Sequence, residues 1–293
     1  MTRMMNWIEV NGSVLRYQLR RAAGNSASTV VLIHEMGGSL ESWNLVCARQ
    51  PDDMTLLRYD TRSAGLSEKV MGTLSIDEHV ADLAALLDAL GIEQPVALAG
   101  VAVGAAIAIR FAAQHPQRVS HVLGMAPACG VAAEAREGAL ATAQRIRQEG
   151  LRQLVPALLE KTWPEPLRSN SQVFATYRNR WLAADPEGFA ATFAMLAGLN
   201  LEADLPRLPA RTLLVAGEYD GLRPPAEIHR LAAFAPQIEA LVVASGHFMP
   251  VQSPLLVLTL LRQFVVHERC GASIYQDFIA QPPYRIGAAG HAA

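Results

Sequence analysis

The segment Gly100-Val101-Ala102-Val103-Gly104 constrains the fold of this chain more than any other. It stands between an apolar run at 95–99 (PVALA) and a small-residue stretch at 104–114 that reads as a helix. Where a buried strand passes straight into a helix, the residues two positions either side of the turn centre have no room for a side chain. The turn holds its central residue in a strained conformation, with the side chain directed into a pocket. That central residue is alanine, which carries no nucleophilic atom.

The same alternation of strand and helix signals runs through most of the chain. Residues 6–19 read as two short strands around Asn11-Gly12, a strong hairpin dipeptide. Residues 29–33 (TVVLI) are β-branched and apolar on both faces, as in a strand covered on each side by helices. Strands are also expected at 55–59, 95–99, 119–125, 212–216 and 239–244. Residues 75–90 repeat apolar positions at helical spacing. Ser75 and Glu78 make a capping-box pattern at their start, and Gly91 closes them. A last helix is expected at about 254–268. The alternation stops between 131 and 205, which reads as mostly helical. The spacing therefore predicts an α/β chain with a mostly parallel, doubly wound sheet. Its core takes in 1–130 and 206–270, and the helical insertion spans 131–205. The tail 271–293 is rich in Gly, Ala and Pro and is expected to be loosely ordered or to lie on a partner subunit.

Composition narrows the function classes. The 293 residues are 51% hydrophobic and 18% charged, with a net charge of −2 and no long run of one sign. That suits a buried core and argues against nucleic-acid binding, which needs clustered Lys and Arg. Cys47, Cys129 and Cys270 have no metal-ligand spacing and read as free thiols in a reducing cytoplasm. The N-terminal residues show no secretory signal pattern. The most apolar stretch, 96–109, is too short to span a bilayer, so no membrane partner is expected. No glycine-rich phosphate loop or metal cluster is visible, and neither cofactor nor metal is expected. The apolar last helix, with the tail, offers a surface for a homodimer.

Three strand ends carry the chemistry, because ligands of open α/β sheets bind beyond the carboxyl ends of strands. The first is the turn at Ala102. The second is Gly217-Glu218-Tyr219-Asp220, whose acid is placed to orient a histidine. The third is Gly246-His247.

With these motifs in order, the stretch from Val31 to His247 resembles the α/β-hydrolase superfamily, and within it the cap-bearing 3-oxoadipate enol-lactonase-like group. The resemblance also rests on His34-Glu35-Met36-Gly37-Gly38-Ser39, similar to an HGxGGS oxyanion loop. A further match is 59–67 (YDTRSAGLS), similar to DxRGxGxS. It implies an α/β-hydrolase fold in which 131–205 is a helical cap. It also implies that Asp220 and His247 are acid and base, and that the N–H groups of Met36 and Val103 form an oxyanion hole. Ala102 departs from the pattern by standing at the nucleophile position. Glu35 departs by replacing the glycine that usually follows the loop histidine, and Ser63 also replaces a usual glycine.

Ala102 is open to two readings: a native alanine, or a serine removed by mutation. Glu35 is also open to two. A carboxylate beside an oxyanion hole opposes the charge that acyl transfer develops there. It is either a second acid/base or one half of a structural ion pair, with Arg62 or an arginine of the insertion as partner. His34, Asp60 and Ser67 read as loop fasteners. Trp163, Tyr177, Arg178 and Trp181 are candidates for the substrate pocket.

The expected function is a small-molecule enzyme. His/Asp general-base chemistry on an ester, lactone or similar carbonyl leads. The alternatives are a serine esterase disarmed at 102, a lyase, decarboxylase or cofactor-free oxygenase on the same site, and a non-catalytic binder.

Overall fold

The computed structural model describes residues 5–23, 28–49 and 53–281. Its strands are β1 (Asn6–Val10), β2 (Ser13–Arg20), β3 (Ser28–Ile33), β4 (Met54–Tyr59), β5 (Val96–Val101), β6 (Val119–Met125), β7 (Arg211–Gly217) and β8 (Ile238–Val243). They form one sheet in the order β1-β2-β4-β3-β5-β6-β7-β8. The β1–β2 and β2–β4 pairs are antiparallel, and all later pairs are parallel.

The helices are α1 (Asn44–Cys47), α2 (Ile76–Ala89), α3 (Val103–Gln114), α4 (Arg136–Glu149), α5 (Val155–Thr162), α6 (Ser171–Leu182), α7 (Pro186–Gly198), α8 (Pro225–Ala232), α9 (Met249–Gln252), α10 (Pro254–Leu261) and α11 (Gly271–Ile279). Two apolar layers cover the sheet. One joins α2, α3 and α8 to one face, and the other joins α1, α10 and α11 to the opposite face. Val30, Val31, Leu32 and Ile33 of β3 are all fully buried, as a strand with two covered faces requires. Each such side chain contributes about 1.5–3 kcal/mol by leaving water.

The hairpin at Asn11-Gly12 forms with both residues at positive φ. Ser75 caps α2, and the reciprocal bonds with Glu78 complete the expected box. Between β6 and β7 lie α4 to α7, which build a third apolar cluster together with Phe248 and Val251.

Two segments differ from the sequence expectation. The helix expected at about 254–268 is α10, followed at Arg262–Val266 by a π-helical stretch. The tail does not begin at 271: Gly271–Ile279 is the helix α11, with Ile274 1% exposed in the core. Gly271 lies so close to Leu213 that a Cβ there would press on its side chain, and Gly271 N–H bonds Glu239. A Gly/Ala-rich composition was a poor guide here because small residues allow a helix to dock closely. The rest of the expected tail, 282–293, lies outside the described residues. The apolar side chains of α10 are mostly engaged in the chain's own core.

Candidate active site

Because β3 to β8 run parallel, their carboxyl ends share one edge of the sheet, and the three predicted strand ends meet there with the loop after β3. At the end of β5, Ala102 has φ 51° and ψ −111°. An L-residue held there stores about 1–3 kcal/mol of strain. Three backbone bonds hold it: Ala102 N–H to Met125 O (3.0 Å), and Ala106 and Ala128 N–H to Ala102 O (both 3.1 Å). The flanking glycines are required. A Cβ on Gly100 would collide with the Gly104 carbonyl, and one on Gly104 with the Ile33 carbonyl oxygen.

Asp220 follows β7 and His247 follows β8. His247 Nδ1 donates to Asp220 Oδ2 at 2.6 Å, with both residues buried. A carboxylate only accepts, so the second ring nitrogen, Nε2, is left for the pocket. Asp220 Oδ1 takes the N–H groups of Leu222 (2.8 Å) and Arg223 (2.9 Å), which fix the carboxylate from the other side. The histidine loop is anchored to the helical segment by His247 N–H to Thr162 O, 3.1 Å. Gln252 also donates to that carbonyl, at 3.0 Å.

The loop after β3 brings the third group. Glu35 is 2% exposed. Its Oε1 accepts from Ser42 Oγ and from Tyr177 Oη, both at 2.7 Å. Its side chain folds back over Gly38, where a Cβ would overlap the carboxylate. Burial and the Glu35 charge together push the Tyr177 phenol well above its ordinary pKa. The ion pair with Arg62, one of the two readings of Glu35, does not form: Arg62 binds Asp82 through Nε (2.8 Å) and Nη2 (2.6 Å). Among the described residues Glu35 has no cationic partner. The arginine is drawn instead to the acid on α2, and this ties the loop after β4 to that helix.

The fasteners behave as expected. His34 Nδ1 donates to Glu35 O at 2.7 Å, and its Nε2 accepts the Thr61 N–H at 3.0 Å, which one neutral tautomer satisfies. Asp60 accepts from Leu40 N, Leu66 N and Arg16 Nε, each at 2.7 Å. Ser67 Oγ closes the turn onto Asp60 O at 2.7 Å. Among the described residues, neither the Met36 nor the Val103 N–H is taken by a protein acceptor.

Of the four residues predicted on the insertion, three are buried and in contact. Trp163 and Tyr177 have ring centroids 5.2 Å apart, and Tyr177 and Trp181 5.9 Å. Arg178 is not brought to this group: its guanidinium bonds Asn179 on the exposed side of α6. It lies next to Tyr177 in sequence, so on a helix it points about 100° away. Phe248, Ser42 and Thr162 were not read from the sequence. Phe248 packs edge-on to His247 (4.9 Å) and against Tyr177 (4.7 Å), so one ring links the histidine to the aromatic wall. Its place beside His247 was the available signal. Ser42 and Thr162 have no sequence signal, since only the packing of distant segments gives them partners.

A doubly wound sheet with a strained strand-to-helix turn after β5, an acid after β7 and a histidine after β8 defines an α/β hydrolase. More closely, the chain belongs to the family described as serine aminopeptidase, S33, whose model matches residues 24–247. It is 27% identical over 271 residues to a putative 2-succinyl-6-hydroxy-2,4-cyclohexadiene-1-carboxylate synthase of Bacillus subtilis, covering 86% of this chain and 95% of that protein. The enol-lactonase from Burkholderia xenovorans LB400 shares the fold at a TM-score of 0.82 and 24% identity, over 89% of this chain and 100% of that one. A thermophilic esterase from Thermogutta terrifontis does so at 0.81 and 24%, over 93% and 99%. Among the described residues no helix is long and apolar enough to cross a membrane, and no group of three or more His, Cys, Asp or Glu is placed to hold a metal ion.

Proposed function

We propose that the chain hydrolyses a small ester, lactone or similar carbonyl compound by general-base chemistry, without a side-chain nucleophile. The observation that carries this reading is the intact 2.6 Å His247–Asp220 hydrogen bond at the same edge of the sheet as a turn whose tip is alanine. His247 Nε2 takes a proton from water as the water oxygen bonds to the carbonyl carbon. The carbonyl oxygen becomes an oxyanion and is met by the Met36 and Val103 N–H groups. The intermediate collapses, the C–O bond to the leaving group breaks, and His247 returns the proton to the departing oxygen. Asp220 holds the ring and stabilises its cation.

Glu35 is the second acid/base in this reading. Its position in the loop would oppose the oxyanion, and the hydroxyls of Ser42 and Tyr177 offset part of that charge by hydrogen bonding. Residues 131–205 act as a cap over the core formed by 1–130 and 206–270. Trp163, Tyr177 and Trp181 form the pocket wall. The relatives named as an enol-lactonase and an esterase support a carbonyl substrate.

A second reading keeps the base and changes the reaction. The relative named as a cyclohexadiene-carboxylate synthase aligns along nearly its whole length. A synthase name supports non-hydrolytic chemistry on the same site, with His247 taking a proton from a substrate C–H or O–H as in the lyase reading. One assay separates these readings and tests for a disarmed serine enzyme. Phenyl acetate and five-membered lactones are offered to the parent and to Ala102→Ser. Parent hydrolysis that serine does not raise supports the first reading. Strong activity gained only with serine shows a disarmed serine hydrolase.

A further inference from the structure

Met36 and Val103, whose N–H groups meet the oxyanion in the mechanism above, also line a cavity that extends away from them to residues the mechanism does not use. It measures about 30 Å³ and lies between the loops after β3 and β4 and the helices α3 and α7. Its lining runs from Gly65, exposed, to Thr61, His79 and Val103, all buried. A space of this size takes roughly two water molecules.

His79 is the unusual member of that lining. It is 3% exposed, and its Nε2 has no hydrogen-bond partner among the described residues. The titratable groups that act on it, Asp82, His34, Arg62 and Glu78, are already engaged. Asp82 is held by Arg62 and Asn11, Glu78 caps α2 through Ser75, and His34 bonds Thr61 and its neighbour's carbonyl. Buried polar atoms in folded proteins find a partner, in protein or in ordered water. Burial pushes the His79 pKa down to about 4, so at pH 7 the ring is neutral and offers one N–H and one lone pair. Water in the cavity can answer both. An anion would meet a ring that carries no charge.

We propose that this cavity is a water-binding site in which His79 anchors an ordered water, and that it is the side channel through which the hydrolytic water reaches the carbonyl at Met36 and Val103. The second half rests on the hydrolytic function proposed above. An enzyme without a covalent intermediate needs a water at the carbonyl in every turnover while substrate blocks the main pocket. A side entry beside Gly65 meets that need.

Two measurements test the two halves separately. High-resolution crystal structures of the parent and of His79→Phe address the site. Water within about 2.7–3.2 Å of a His79 ring nitrogen in the parent, displaced in His79→Phe, is the expected result. A parent cavity with no water at that ring overturns the proposal. Phenyl acetate kinetics address the channel. His79→Phe is expected to lower kcat about 10-fold with KM unchanged, the scale of one lost hydrogen bond, and His79→Gln, which keeps a donor and an acceptor, to restore it. Equal kcat in all three proteins overturns the channel. Failure of the hydrolytic reading shows elsewhere, as no turnover of phenyl acetate or lactones by the parent itself.

Discussion

Tyr177 on α6 donates a 2.7 Å hydrogen bond to Glu35 in the loop after β3, across 142 residues of chain. Both are buried, so the bond joins the helical segment to the floor of the site. Tyr177→Phe leaves Glu35 Oε1 with Ser42 alone and is expected to cost about 1.5–3 kcal/mol of stability, the scale of one hydrogen bond lost to a charged group. Urea unfolding checks it. Glu35→Gln keeps the shape and removes the acid/base. Its kcat is expected to fall about 100-fold, whereas an unchanged rate with a lower Tm would make Glu35 purely structural.

His79 predicts how stability varies with pH. Its pKa in the folded chain is about 4, against an ordinary 6.5. Between those values the unfolded chain binds more protons, so stability is lost as pH falls from about 6.5 towards 4. The full loss from this group is about 3 kcal/mol. Chemical denaturation at pH 7, 5.5 and 4.5 should show a steeper decline in the parent than in His79→Gln.

The turn at Ala102 predicts a severe effect from a small change. Gly104→Ala puts a Cβ against the Ile33 and His34 carbonyl oxygens, which belong to a central strand and its loop. Backbone atoms there cannot move without breaking the β3–β5 pairing. Expression as insoluble protein, or a loss of more than about 3 kcal/mol, is expected, with soluble yield and thermal melting as the checks.

Helix α11 belongs to the core. Ile274→Ala is expected to destabilise by about 2–5 kcal/mol, measured by urea unfolding. A cost near zero would mean that this helix is only laid on the surface.

The parts of this structure that were legible in the sequence depend on local rules. Alternating apolar runs gave the strands, Ser75 and Glu78 gave the start of α2, and Gly100 and Gly104 gave the turn, because each follows from neighbours a few residues apart. The order of Asp220 and His247 after their strands was equally readable. What was not readable depends on long-range choice. Arg62 had two acids within plausible reach, Glu35 and Asp82, and only the folded geometry decides between them. Arg178 and Tyr177 are adjacent in sequence and face different ways. The residues from Gly271 read as tail because small residues signal both loops and close helix docking. His79 looked like any helix position, and its significance appears only once the cavity beside it is seen.

The central claim is that His247, oriented by Asp220, performs the proton transfer in a site with no side-chain nucleophile. The most direct measurement compares kcat/KM of the parent and His247→Ala on phenyl acetate and five-membered lactones, with circular dichroism to verify the fold. A loss of about 100-fold or more in a folded variant is predicted. Turnover at the parent rate by folded His247→Ala would contradict the account.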